Sequence, residues 1–185
     1  MADPDTQPSS SSVTDGHYQI RVSGECPPNL SECVLHVTHP TCGAISTFLG
    51  TTRSTFGDKT VTSLKYEAYV PMAEKELMCL CRAATSRWPG VTRIAVHHIL
   101  GECPVGRTSV IVATSSPHRK EAIESCEWLI NSLKERVPIW KLEQYEESGG
   151  AVWKENLEWR GGQNMRVMAK SGESEEVDDK IGSKD

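Results

Sequence analysis

Hydrophobic and polar positions recur regularly through the middle of the chain, and their period changes several times. HYQIRVS (17–23) alternates with period two, as a short half-buried strand does. CGAISTFLGTT (42–52) is a second β-type run closing on a Gly and Thr cluster. After the turn FGDK (56–59) comes VTSLKYEAY (61–69), where Leu64, Tyr66 and Ala68 share one face and Lys65, Glu67 and Tyr69 the other. The runs on either side of that turn are expected to form a hairpin. Pro71 then opens a helix to about Trp88, with Met72, Leu77, Leu80, Ala84 and Trp88 near helical spacing, and Pro89 and Gly90 stop it.

VTRIAVHHILG (91–101) and TSVIVATSS (108–116) read as two strands around the loop ECPVGR. Pro117 to about Val137 is a second helix, with Ala122, Cys126, Leu129, Ile130 and Leu133 turned inward. PIWKLEQYE (138–146) alternates again as a last strand, and Trp153 and Trp159 are expected to pack behind it. From the second run onward the order is β-β-α-β-β-α-β, an α+β domain with two main helices.

Both ends break the pattern. MADPDTQPSSSSVTDG (1–16) is polar and rich in Ser and Pro, too poor in apolar surface to offset its ordering entropy, and the acidic stretch from Gly161 to Asp185 reads the same way. Disordered segments at 1–16 and 161–185 are therefore expected around one folded domain at 17–160. The opening residues have no apolar run and no early Lys or Arg, so no leader is expected, and no later stretch approaches a membrane span.

The 185 residues carry a net charge of −5, which argues against a surface built to bind nucleic acid or anionic lipid, so any anion site must be local. The seven cysteines are scattered and odd in number, which fits a reducing, cytosolic setting.

Two clusters supply candidate chemistry. In SSPHRK (115–120), Ser116 is expected to cap the second helix, Pro117 to open it, and His118, Arg119 and Lys120 to stand at its positive end. Free helix-start amides with Arg and His make an anion cradle, the alternative being a solvated turn. In LKERVPIWKLE (133–143), Lys134 and Arg136 close the helix and Lys141 follows in the next strand. Either these cations complement the helix C-terminus and an outer strand face, or they line a pocket where crowding and burial free a lysine amine for proton transfer. His97 and His98 are adjacent in a strand and face opposite sides, so that pair cannot share a metal, and no metal site is expected. Helical Cys79, Cys81 and Cys126 read as core or boundary residues. No nucleotide-binding fingerprint is present.

Taken together, CGAISTFLGTTR (42–53), LKYEAYVPMAEKEL (64–77), SRWP (86–89), ATSSPHRKEAIES (113–125) and LKERVPIWKLEQYEE (133–147) resemble the large, catalytic subunits of the molybdopterin synthase family, especially its animal members. The most specific elements are the His-Arg pair after SSP and the pattern KERVPIWK.

The resemblance implies an α/β hammerhead-type single domain with a mixed, largely antiparallel sheet. It also implies a heterotetramer of two large and two ubiquitin-like small subunits, whose Gly-Gly tail ends in a thiocarboxylate and enters a pocket of the large subunit. The implied reaction is sulfur transfer onto cyclic pyranopterin monophosphate, forming the dithiolene of molybdopterin, with no cofactor or metal held by the large subunit. By position, Lys134 and Lys141 match the family's catalytic lysines, and His118 and Arg119 the pair on the substrate's phosphate side. Arg53 matches a basic pocket residue, while Leu142 and Glu143 continue the substrate-binding segment. A tail-binding scaffold without catalysis and an unrelated phosphate-ester or nucleotide enzyme are the competing readings of the same cations.

Overall fold

A computed structural model describes residues 11–24, 27–145 and 151–154. The described elements are β1 (Ser11–Thr14), β2 (Tyr18–Ser23), α1 (Leu30–Val37), β3 (Ala44–Thr51), β4 (Thr55–Phe56), β5 (Lys59–Ala68), α2 (Val70–Arg87), β6 (Arg93–Ile99), β7 (Gly101–Pro104), β8 (Thr108–Ser116), α3 (Arg119–Arg136), β9 (Ile139–Tyr145) and β10 (Ala151–Lys154). The fold is mixed α+β, with two sheets. The first runs β1-β2-β6-β8-β3, with β2 and β6 parallel and the other neighbours antiparallel. The second runs β10-β9-β5-β4, and β7 also pairs with β5.

Alternation along the first sheet builds two cores. Ile20, Val22, Ile94, Val96, Val110 and Val112 project to one face, where α2 and α3 cover them with Leu77, Leu80, Ala84, Cys126, Leu129 and Leu133. On the opposite face α1 covers Ala95, Ile111 and Ala113 with Cys33 and Val37. The inward positions expected for the second long helix are all buried. In α2, Leu77, Leu80 and Ala84 are buried and Trp88 is half-buried, whereas Met72 is 54% exposed because it lies in the first turn, past the edge of the core.

Several expectations need correction. The runs around FGDK do not pair with each other: β3 pairs with β8 in the first sheet, β5 with β9 in the second, and the turn joins only the two-residue β4 to β5. The ECPVGR loop contains β7, which carries the chain from one sheet to the other; Gly101 makes the change of direction with φ 78°, a conformation side chains resist.

The 1–16 stretch is not wholly without structure. Ser11–Thr14 pairs with β2 across a turn in which Asp15 accepts from the amides of His17 and Tyr18. A third helix, α1, stands where none was expected; Asn29 caps it by accepting from the Glu32 amide. Finally, α3 begins at Arg119 with His118 as its cap, while Ser116 stays in β8 and accepts from the His118 amide at 3.2 Å. Trp153 lies in β10 with its side chain outside the described set, as is Trp159 altogether.

Candidate functional site

Between the two sheets, closed at one end by the last turns of α3, lies a cavity of about 620 Å³, within the range of small-molecule sites. The end of β3 (Phe48 to Thr51), Ser109 and Val110 of β8 and His98 of β6 form one wall. Leu64 and Tyr66 of β5 with Ile139, Lys141 and Glu143 of β9 form the facing wall. Ile130, Leu133, Lys134 and Val137 close the end, and Arg53, Thr55 and Phe56 stand at the remaining side.

Local sequence accounts for each wall. Tyr66 pairs with Lys141 and Leu64 with Glu143, so strand alternation sends all four side chains to the cavity face. The same alternation turns Leu142 away: its side chain is buried on the opposite face, so it cannot reach a ligand in the cavity. At Gly50 a side chain would meet Val110 Cγ1 at 2.7 Å, so the close approach of β3 to β8 requires glycine. Arg53 follows Thr52, whose buried hydroxyl donates to the Cys103 carbonyl at 3.2 Å and whose amide donates to the Arg107 carbonyl at 3.0 Å. At the other end, Arg136 pairs with Glu76 of α2 at 2.6 Å and steadies the last turn of α3.

The charges are unequal in their surroundings. Lys134 is exposed at the cavity's end, not buried as the pocket reading assumed, because the last turn of α3 reaches solvent. Lys141 is one-third exposed and its Nζ lies 3.1 Å from Glu143 Oε1, a carboxylate 3% exposed that also accepts from the Tyr145 hydroxyl. Glu143 thereby orients the Lys141 ammonium toward the cavity.

Of the residues expected in the site, the fold brings together Arg53, Lys134, Lys141 and Glu143. It does not bring His118 and Arg119 to them. These two are exposed at the start of α3, and the 15 residue steps from Arg119 to Lys134 span roughly 22 Å of helix axis.

Sequence reasoning missed two residues of the cavity wall, His98 and Tyr66, whose rings meet edge to face at 5.0 Å and 80°. The nearest signal was the stated alternation of Leu64, Tyr66 and Ala68, which assigned Tyr66 a face but not a cavity. Burial pushes the Cys33 and Cys81 thiols up to about 12, so neither is available as a sulfur nucleophile at neutral pH. Among the described residues no group of His, Cys, Asp and Glu is placed to hold a metal ion. No described helix is long and apolar enough to cross a membrane.

Comparison with known proteins identifies the fold and the family. The family model described as MoaE protein matches residues 24–136. The molybdopterin synthase catalytic subunit of Taeniopygia guttata is 52% identical over 122 residues, which cover 66% of this chain and 77% of that protein. That of Drosophila willistoni is 52% identical over 119 residues, 64% of this chain but only 32% of the longer fly protein. The crystal structure of molybdopterin synthase from Staphylococcus aureus superposes with a TM-score of 0.68 at 34% identity, covering 72% of this chain and 94% of that one. The matched family segment contains Arg53, His118, Arg119 and Lys134, and thus spans β3 through α3, from one cavity wall to the helix that closes it. The chain belongs to the MoaE protein family.

Proposed function

We propose that this chain is the catalytic subunit of a molybdopterin synthase acting in the cytosol. It transfers sulfur from the thiocarboxylated C-terminus of a ubiquitin-like small subunit to cyclic pyranopterin monophosphate, forming the dithiolene of molybdopterin. The observation that carries this reading is the cavity of about 620 Å³ with Arg53, Lys134 and Lys141 on its lining, the size and sign of charge that a phosphorylated pterin needs.

Lys134, exposed at the cavity's end, meets the entering tail and stabilises charge or carries a proton as sulfur attacks and the acyl group leaves. Lys141, oriented by Glu143, and Arg53 hold the substrate with its reacting carbons beside the thiocarboxylate. The burial of Cys33 and Cys81 agrees with a sulfur that comes from the partner.

His118 and Arg119 belong to the same reaction through the assembly. One α3 cannot bring both of its ends to one substrate, so in a tetramer of two large and two small subunits the pair acts on the substrate held by the other large subunit. β3 ends the first sheet among the described residues, and Ile45 and Leu49 on it are 41% and 40% exposed. Two such edges paired antiparallel about a two-fold axis bring the Ala44 end of one beside the Gly50 end of the other. Ala44 pairs with Ser116, two residues before His118, while Gly50 lines the cavity.

The test is dithiolene formation by the purified chain with cyclic pyranopterin monophosphate and either a thiocarboxylated or an ordinary carboxylate small subunit. Product with the thiocarboxylate alone is expected. Tight binding of the small subunit with no product from either would identify a scaffold instead.

A further inference from the structure

Two residues of the cavity lining, His98 and Tyr66, have no part in the reaction as proposed above. His98 is 6% exposed, on the same face of the first sheet as Val96 and opposite to His97. Its Nδ1 lies 2.7 Å from the Ile99 carbonyl oxygen. A carbonyl only accepts, so Nδ1 carries the hydrogen and Nε2 of the neutral ring is a bare lone pair. Burial pushes the His98 pKa down to about 4, which keeps the ring neutral at physiological pH. Among the described residues Nε2 has no hydrogen-bond partner, although His98 lines the cavity. Tyr66, also on the lining, packs its ring edge to face on the imidazole and limits its rotation.

We propose that His98 is a specificity-determining residue of this site: its Nε2 accepts a hydrogen bond from a ring N–H of the bound heterocycle, with Tyr66 as the positioning residue that holds the imidazole in place. The assignment rests on the phosphorylated-pterin reading and deepens it. The cations of the lining take the phosphate, and the His98 acceptor, packed on the Tyr66 that pairs with Lys141, reads the N–H edge of the fused ring beside them. A ligand with the same phosphate and no ring N–H leaves that lone pair desolvated and unpaired, the kind of mismatch that discriminates strongly.

Two substitutions separate the two nitrogens. His98→Asn keeps an amide N–H near Nδ1 for the Ile99 carbonyl and removes the group at Nε2; His98→Gln restores an amide oxygen at the reach of Nε2. Titration of cyclic pyranopterin monophosphate into the complex with carboxylate small subunit is expected to show His98→Asn weakened by about 10- to 100-fold. His98→Gln should recover most of that loss, with small-subunit affinity and melting temperature unchanged in His98→Asn. Pterin binding by His98→Asn within twofold of wild type would overturn the assignment. So would equal weakening in both variants accompanied by a lowered melting temperature, which is the mark of a structural histidine. A wild-type complex that binds no pterin would overturn the underlying reading as well, and that result is distinct from the first because it appears without any substitution.

Discussion

Lys141 and Glu143 stand two positions apart on one strand, which is why a buried carboxylate comes to hold a half-buried ammonium at 3.1 Å inside the cavity. Glu143→Gln is expected to lower kcat/KM by about tenfold or more through loss of that orientation, with a stability change of only about 1 kcal/mol, because Lys141 is exposed enough to rehydrate. Steady-state kinetics beside thermal melts will read the two effects separately. The adjacent histidines make a different prediction. His97, buried under α1 near Arg21, Glu32 and His36, and His98 on the other face both have pKa values lowered to about 4, with burial as the largest cause. Their folded values lie below the unfolded value of 6.5, so the stability they contribute is complete above about pH 6.5 and is lost as pH falls through about 4. Melting temperature should therefore drop over that window, and His97→Phe, which also removes two buried nitrogens without partners, should flatten the drop. A wild-type melting temperature constant from pH 7 to 4 would contradict this. Lys134 and Lys141 were legible as candidates because cations clustered at a helix end and a strand start are visible in one short segment. His98 and Tyr66 were not, because a strand residue looks the same in sequence whether it faces a core or a cavity.

The strands and helices depend on close approaches that one methyl group can spoil. Gly50→Ala would place Cβ 2.7 Å from Val110 Cγ1 and 3.3 Å from Phe48 Cε1, in the cavity wall itself. The expected cost is about 1–3 kcal/mol with weakened substrate binding, read by denaturant unfolding and by titration. Unchanged stability would mean the β3–β8 contact yields more easily than its geometry implies. Element identity was largely readable: the alternation in β2, β5 and β9 and the helical spacing in α3 all predicted the right element. Pairing was not. Sequence neighbours usually pair, so adjacency predicts a hairpin of β3 and β5, whereas β3 finds β8 some sixty residues away. α1, at eight residues, is too short for its spacing to repeat, although Asn29 and Glu32 at cap and third position were a usable signal. β1 exists only through pairing with β2, which no property of its Ser-rich sequence announces.

At the scale of the whole molecule, three cations and a carboxylate stand at the cavity, and a His-Arg pair stands roughly 22 Å along α3 from it. If the pair acts across two copies, Lys134→Ala and Arg119→Ala should each be nearly inactive alone but should complement when co-assembled. Equal mixing leaves half the large-subunit pairs mixed, each with one intact site, so roughly one quarter of wild-type activity should return. No recovery would place His118 and Arg119 outside the reaction at the cavity. On the proposed reading this cavity performs sulfur transfer with Lys134 at its working end. The most direct measurement is single-turnover dithiolene formation from thiocarboxylated small subunit and cyclic pyranopterin monophosphate, with wild type beside Lys134→Ala, a change a helix end tolerates well. Wild type should form product, and the variant, folded and still bound to the small subunit, should be slower by about 100-fold or more. Product formed by Lys134→Ala at the wild-type rate would show that Lys134 has no part in the transfer.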